Sequence, residues 1–99
     1  MRKIQHYVEQ IKEELEGAKN YAEKAIQFKA EGNSGRAAKY REMASQELTH
    51  AQNIHQIAVE DIQVLNKVYT PPVGMQEKWD KAHTEYVEQA AWIRQMLSM

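Results

Sequence analysis

Glu14, Glu47 and His50 are the residues of this chain whose types and spacing are best suited to metal chemistry. Glu47 precedes His50 by three residues, so on a helix both side chains point to one side and can reach one ion. All three interrupt apolar helix stripes, where an unpartnered carboxylate costs several kcal/mol. Tyr21 follows Glu14 by two turns on the same face. We interpret these residues as half of a carboxylate-bridged two-metal site that a second copy of the chain completes.

Three helices are predicted to position these residues. Two breaks, from Gly32 to Gly35 and from Thr70 to Gly74, divide the sequence. They favour helices near 2–31, 35–68 and 75–97 within a single domain spanning residues 1–99. Ser34 is expected to cap the second helix. No alternating apolar pattern predicts a strand, so the fold class is all-α, an antiparallel helical hairpin with a shorter third helix.

The apolar stripes of the first two helices place the three ligand candidates close together. The first helix carries a four-three stripe: Ile4, Val8, Ile11, Leu15, Ala18, Ala22 and Ala25. Beside it runs a seven-residue series: Tyr7, Glu14, Tyr21 and Phe28. The second helix carries a matching pair of series: Ala37, Tyr40, Ala44, Glu47, Ala51, Ile54, Ala58, Asp61 and Leu65, and beside them Met43, His50, Ile57 and Val64. Folding the hairpin about Asn33 puts Glu14 within about one turn of His50, roughly 5 Å along the axis.

The third helix has its own stripe but no metal-ligand pattern. Its apolar residues are Met75, Trp79, Ala82, Tyr86, Ala90, Ile93 and Leu97, with Trp92 to one side. Two interpretations stay open for this stripe. It either covers the core of its own hairpin or anchors an interface between copies.

Several residues also have a purely structural interpretation. Glu47 and His50 can hydrogen-bond each other in the core while Glu14 reaches water. Asp61 lies near the end of the hairpin, where solvent or one of the cations Arg2 and Lys3 of the first helix can satisfy it. The other histidines, His6, His55 and His83, are expected on the surface. Gly17, which is costly inside a helix, either lets another group approach the site or is a tolerated surface glycine.

Composition excludes several classes of function. Lys and Arg total 13 against 14 for Asp and Glu, with no long run of either sign, so nucleic acid is not an expected partner. We predict neither a membrane span nor a signal peptide, and therefore a cytoplasmic location. The chain has no cysteine, so oxygen and imidazole must hold any metal.

Residues 10–60 resemble the ferritin-like superfamily, most closely its rubrerythrin and encapsulated-ferritin branches. That superfamily holds two irons in a four-helix bundle with a Glu from each of two helices and a Glu-x-x-His from each of the other two. This chain offers Glu14 and Glu47-x-x-His50, with Tyr21 seven residues after the first glutamate. The resemblance implies a four-helix bundle completed by dimerisation, with two irons per homodimer or within a higher homo-oligomer.

The implied activity is oxidation of Fe(II), a ferroxidase reaction, at a site shared between two subunits. Glu14, Glu47 and His50 would bind the metals, the two Glu47 carboxylates would bridge them, and Tyr21 would donate a hydrogen bond to a ligand. Manganese or zinc can use the same ligands. The chain lacks the cysteine-ligated electron-transfer module of rubrerythrins, and its C-terminus does not resemble a shell-targeting peptide. The alternatives are a non-catalytic helical assembly protein and a peroxide-scavenging enzyme similar to rubrerythrin or manganese catalase.

Overall fold

The computed structural model describes residues 2–68 and 73–99, and in this part of the chain it contains three α-helices and no strand. Helix α1 spans Arg2–Ala30, α2 spans Ser34–Val68 and α3 spans Val73–Leu97. The predicted all-α class and helix order are confirmed, and every helix boundary lies within two residues of its predicted position. The predicted break at Pro71 and Pro72 lies outside the described residues. None of the described helices has an apolar stretch long enough to cross a membrane.

Asn33, rather than the predicted Ser34, caps the second helix. The side-chain oxygen of Asn33 accepts a hydrogen bond of 3.1 Å from the backbone N–H of Arg36, three residues into α2. The preceding residue, Gly32, has φ of 80°, a left-handed conformation that favours glycine and ends α1. This turn leaves Asn33 in the capping position, so Ser34 is already the first residue of the helix.

Small residues line the contact between α1 and α2. Ala18, Ala44, Ala51 and Ala58 each expose 0% of their surface, so the two helices pack closely along the hairpin. Leu48 is also buried in this core, next to the glutamate that precedes it. The predicted stripe of α2 passes from Glu47 directly to Ala51 and therefore does not include Leu48. The buried face of α2 is therefore wider than one four-three series.

Helix α3 covers the core of its own hairpin and packs mainly along α1. Its residues Trp79, Ala90 and Ile93 belong to one buried cluster with Ile11 and Leu15 of α1. This arrangement decides between the two interpretations of the third stripe in favour of the hairpin's own core. Trp92 lies off that stripe, as the sequence predicts, and is 46% exposed.

A polar cluster joins α1 and α2 near the start of α1. The hydroxyl of Tyr7 donates a hydrogen bond of 2.8 Å to Oδ2 of Asp61. Nζ of Lys3 lies 3.1 Å from the same oxygen, which confirms the expected pairing of Asp61 with a cation of the first helix. The side chain of Arg2, the other predicted partner, lies outside the described residues. Because Tyr7 and Glu14 belong to one seven-residue series, this cluster helps to fix the register in which Glu14 meets α2.

Candidate metal centre

Glu14, Glu47 and His50 form one group in the folded chain. Each offers a ligand atom, and these atoms all lie within 4.8 Å of one another. Nδ1 of His50 lies 3.6 Å from Oε2 of Glu14, so the hairpin brings the two helices together at the predicted level. The described part of the chain contains no other group of three or more histidine, aspartate and glutamate ligands this close together.

One oxygen of Glu14 is buried without a hydrogen-bond partner. Oε2 of Glu14 is shielded from solvent and accepts no hydrogen bond from the described residues. The Glu14 side chain as a whole is 28% exposed, against 57% for His50. No hydrogen bond between Glu47 and His50 is present among the described residues, and His50 lies beside Glu14 instead. A buried acceptor of this kind is commonly satisfied by an ordered water or a bound cation.

The protonation of Glu47 is influenced by its neighbours in this group. The adjacent Glu14 raises the pKa of Glu47 above its ordinary value, first because a protonated Glu47 can hydrogen-bond to Glu14. Burial and the negative charge of Glu14 act in the same direction, while the charge of His50 opposes them. Neutralisation of the Glu47 charge, by a proton or by a divalent cation, is therefore favoured at this position.

Tyr21 belongs to an aromatic cluster between α1 and α2 and makes no hydrogen bond to a candidate ligand among the described residues. Its ring centroid is 6.0 Å from that of Tyr40, which also stacks on Phe28 at 5.4 Å. In the described residues Tyr21 makes no hydrogen bond to Glu14, Glu47 or His50, so its implied donor role stays a prediction. Tyr40 was predicted only as a core residue. Its spacing could have indicated the contact with Tyr21, because Tyr40 precedes Glu47 by seven residues, just as Tyr21 follows Glu14 by seven.

The group is open on the side of α2 that faces away from the hairpin core. His50 belongs to a seven-residue series whose apolar members are exposed: Met43 by 36%, Ile57 by 46% and Val64 by 60%. We call these three residues and His50 the open stripe. The candidate ligand His50 therefore lies on a solvent-facing apolar surface, with its imidazole accessible from outside the hairpin.

The remaining histidines lie apart from this group. His6 is exposed, as predicted. His55 is half-buried, so its expected surface position was wrong; it packs between α2 and α3, where Nε2 lies 2.8 Å from Nδ1 of His83. The docking angle of α3 brings these two imidazoles together, and periodicity within a single helix does not reveal that angle.

The donor set fits a first-row divalent metal. Two carboxylates and one imidazole suit Fe(II), Mn(II) and Zn(II), and the buried Oε2 of Glu14 supplies an acceptor that needs a partner. Comparison of the chain with family models gives no match, and comparisons with curated proteins and with solved structures give none either.

Proposed function

We propose that this chain is one half of a di-iron carboxylate protein, which oxidises Fe(II) at a centre formed between two copies. One observation carries the proposal. Glu14, Glu47 and His50 converge from two helices, with a buried carboxylate oxygen that accepts no hydrogen bond. A stable small domain has only about 5–15 kcal/mol of stability to offset such a group, so its presence favours a function in binding.

The second copy is part of the proposal because one hairpin supplies half of the ligands. Di-iron centres in four-helix bundles use a Glu from each of two helices and a Glu-x-x-His from each of the other two. Glu14 and the Glu47 to His50 pair provide one of each. A symmetric partner docked on the open stripe would contribute the same ligands again, since a two-fold interface uses the same surface on both subunits.

The open stripe also provides a hydrophobic driving force for docking of the partner. Met43, Ile57 and Val64 are apolar and between 36% and 60% exposed, so association would remove apolar surface from water. The stripe contains His50, so the surface that would be covered is the one that opens onto the ligands. Docking there would both complete the ligand set and exclude solvent from it.

In this proposal Fe(II) is the substrate and the side chains hold it in pairs. Glu14 and His50 would each bind the nearer of the two irons, and Glu47 would bridge them. When bound, two Fe(II) ions each lose one electron, and one dioxygen takes up both electrons with two protons to give hydrogen peroxide. The carboxylates would neutralise the charge that rises on oxidation, and the partner's apolar stripe would keep water away.

A second candidate function is favoured by the same open stripe. A helical assembly protein without catalysis would use Met43, Ile57 and Val64 only for association. It would leave Glu14, Glu47 and His50 without a metal. The two functions differ in one property, which is saturable binding of Fe(II) to the oligomer.

The experiment that tests the proposal is an anaerobic Fe(II) titration of the metal-free protein, followed by admission of oxygen. Three chains are compared: the native one, Glu47→Ala and the matched control Glu13→Ala, which removes an exposed carboxylate next to Glu14. We expect the native chain and the control to saturate at about one iron per chain, since two copies share two metals. Both should then develop ferric ultraviolet absorption while Fe(II), measured with a colorimetric chelator, disappears.

Glu47→Ala should neither saturate nor oxidise Fe(II) faster than buffer does. Saturable binding with no oxidation would leave a metal-binding assembly in place of an oxidase. Absence of saturable binding in the native chain would overturn the metal proposal and leave the assembly protein.

A further inference from the structure

Gly17 lies in the interior of α1, one turn after Glu14, where glycine weakens a helix relative to alanine. Its backbone is helical, so no left-handed conformation requires glycine here. A methyl group placed on Gly17 would lie 3.3 Å from Oε2 of Glu47 and 3.8 Å from both Cδ and Cγ of the same side chain. The three nearest atoms all belong to a proposed metal ligand, so Gly17 is where the Glu47 carboxylate rests against the helix.

We propose that Gly17 is a positioning residue, which keeps open the space that the Glu47 carboxylate needs to bind metal. This inference depends on the proposed function, because it assigns a role toward the same ligands. The Glu47 carboxylate, which comes from α2, lies over the backbone of α1 at residue 17. A methyl group there would make a contact of 3.3 Å with Oε2, so the carboxylate would have to shift by a few tenths of an ångström, which displaces a proposed metal ligand without removing it.

The test compares Gly17→Ala with Gly35→Ala, which makes the same substitution within the first turn of α2. A methyl group on Gly35 would meet only Oδ1 of Asn33, at 3.9 Å, an ordinary contact far from the ligands. The measurements are Fe(II) affinity by anaerobic titration and the midpoint of thermal denaturation of the metal-free protein. We expect Gly17→Ala to bind Fe(II) about tenfold or more weakly, as when a group that orients a ligand is changed. Its denaturation midpoint should stay at or above that of the native chain.

A double-mutant cycle with Glu47→Asp shows whether the effect passes through the carboxylate. Aspartate is shorter by one methylene group, so its carboxylate no longer rests against residue 17. We expect Gly17→Ala to weaken Fe(II) binding much less in the Glu47→Asp background than in the native one. Additive losses would show that the methyl group acts elsewhere and would overturn the inference.

The outcomes for the native chain and for Gly17→Ala separate this inference from the proposed function. If the native chain saturates with Fe(II) and Gly17→Ala binds equally well, Gly17 has no positioning role and the proposed function stands. If Gly17→Ala loses both affinity and thermal stability, the substitution disturbs the fold and the inference is wrong. If the native chain binds no Fe(II), both proposals are overturned together.

Discussion

Nε2 of His55 on α2 lies 2.8 Å from Nδ1 of His83 on α3, so two imidazoles are hydrogen-bonded across a helix interface. The His55 ring also stacks on Tyr86, with the ring centroids 4.2 Å apart, and lies near Trp79. Burial lowers the pKa of His55, and the positive charge that His83 can carry lowers it further. The groups of α3 that face His55 are thus His83, Tyr86 and Trp79, and no carboxylate of the described residues shifts its pKa.

Acid is expected to weaken the docking of α3. The unfolded chain protonates His55 near its ordinary pKa of 6.5, whereas the folded chain does so only at a lower pH. The contribution of neutral His55 to folding stability is therefore complete above the unfolded-state pKa of 6.5. It is lost as the pH falls from there through the lower pKa of the folded chain. His55→Phe keeps an aromatic ring against Tyr86 but removes the ionisation, so the urea midpoint of this variant should fall less between about pH 7 and about pH 5. His6→Phe, at an exposed site, is the control, and equal slopes for native chain and His55→Phe would contradict the prediction.

Tyr7→Phe is expected to destabilise the hairpin and change its response to acid. The hydrogen bond from Tyr7, followed by the one from Lys3, lowers the pKa of Asp61 below its ordinary value of 3.8. A carboxyl group with a lowered pKa contributes stability above its ordinary value, and that contribution is lost as the pH falls through the folded pKa. The urea midpoint of Tyr7→Phe should therefore lie below that of the native chain at neutral pH, with the gap narrowing below about pH 4. Lys3→Met, which removes an exposed cation, should have the smaller effect at neutral pH.

Glu14→Gln is expected to stabilise the metal-free protein while abolishing Fe(II) binding. The amide can donate a hydrogen bond to Glu47, and it removes a buried carboxylate oxygen that accepts no hydrogen bond. Relief of an unsatisfied buried group is worth about 1 kcal/mol or more in the free energy of unfolding. Chemical denaturation of the metal-free chains measures this, with Glu13→Gln as the exposed control one residue away. A destabilised Glu14→Gln would mean that Glu14 already has a favourable environment without metal.

Ile57→Lys is expected to weaken self-association at least tenfold. Burying an isoleucine side chain fully is worth about 1.5–3 kcal/mol, and a two-fold interface contains the substitution twice. Ile57 is 46% exposed on the open stripe, and the control Val87→Lys changes an apolar residue that is 50% exposed on α3. Sedimentation at several protein concentrations measures the dissociation constant. Equal weakening by both substitutions would mean that the open stripe is not the interface.

The sequence predicted the level at which the ligand candidates meet, because a helix has a fixed rise per residue and the break from Gly32 to Gly35 located the turn. Once Asn33 is the centre of the hairpin, Glu14 must come within about one turn of His50, and the 3.6 Å between Nδ1 of His50 and Oε2 of Glu14 in the structure agrees. The capping residue was harder to predict, since Asn33 and Ser34 are both good caps. The left-handed Gly32 decides between them by setting where the helix begins.

Features that depend on how helices dock could not be predicted in this way. The packing of Leu48 beside Glu47 reflects how deeply α1 and α3 enclose α2, and the pairing of His55 with His83 reflects the docking of α3. The same limit applies to the buried oxygen of Glu14. Residue spacing placed this carboxylate on the right face, but only the packed structure shows that Oε2 lacks a hydrogen-bond donor.

The proposed half-site in each hairpin would have a consequence for inheritance. If every centre draws Glu14, Glu47 and His50 from two copies, a cell that makes native and ligand-deficient chains in equal amounts assembles mixed centres as well. Random pairing leaves only about a quarter of the dimers with two native halves. A defective allele would therefore act dominantly, in contrast to a protein whose complete site lies within one chain.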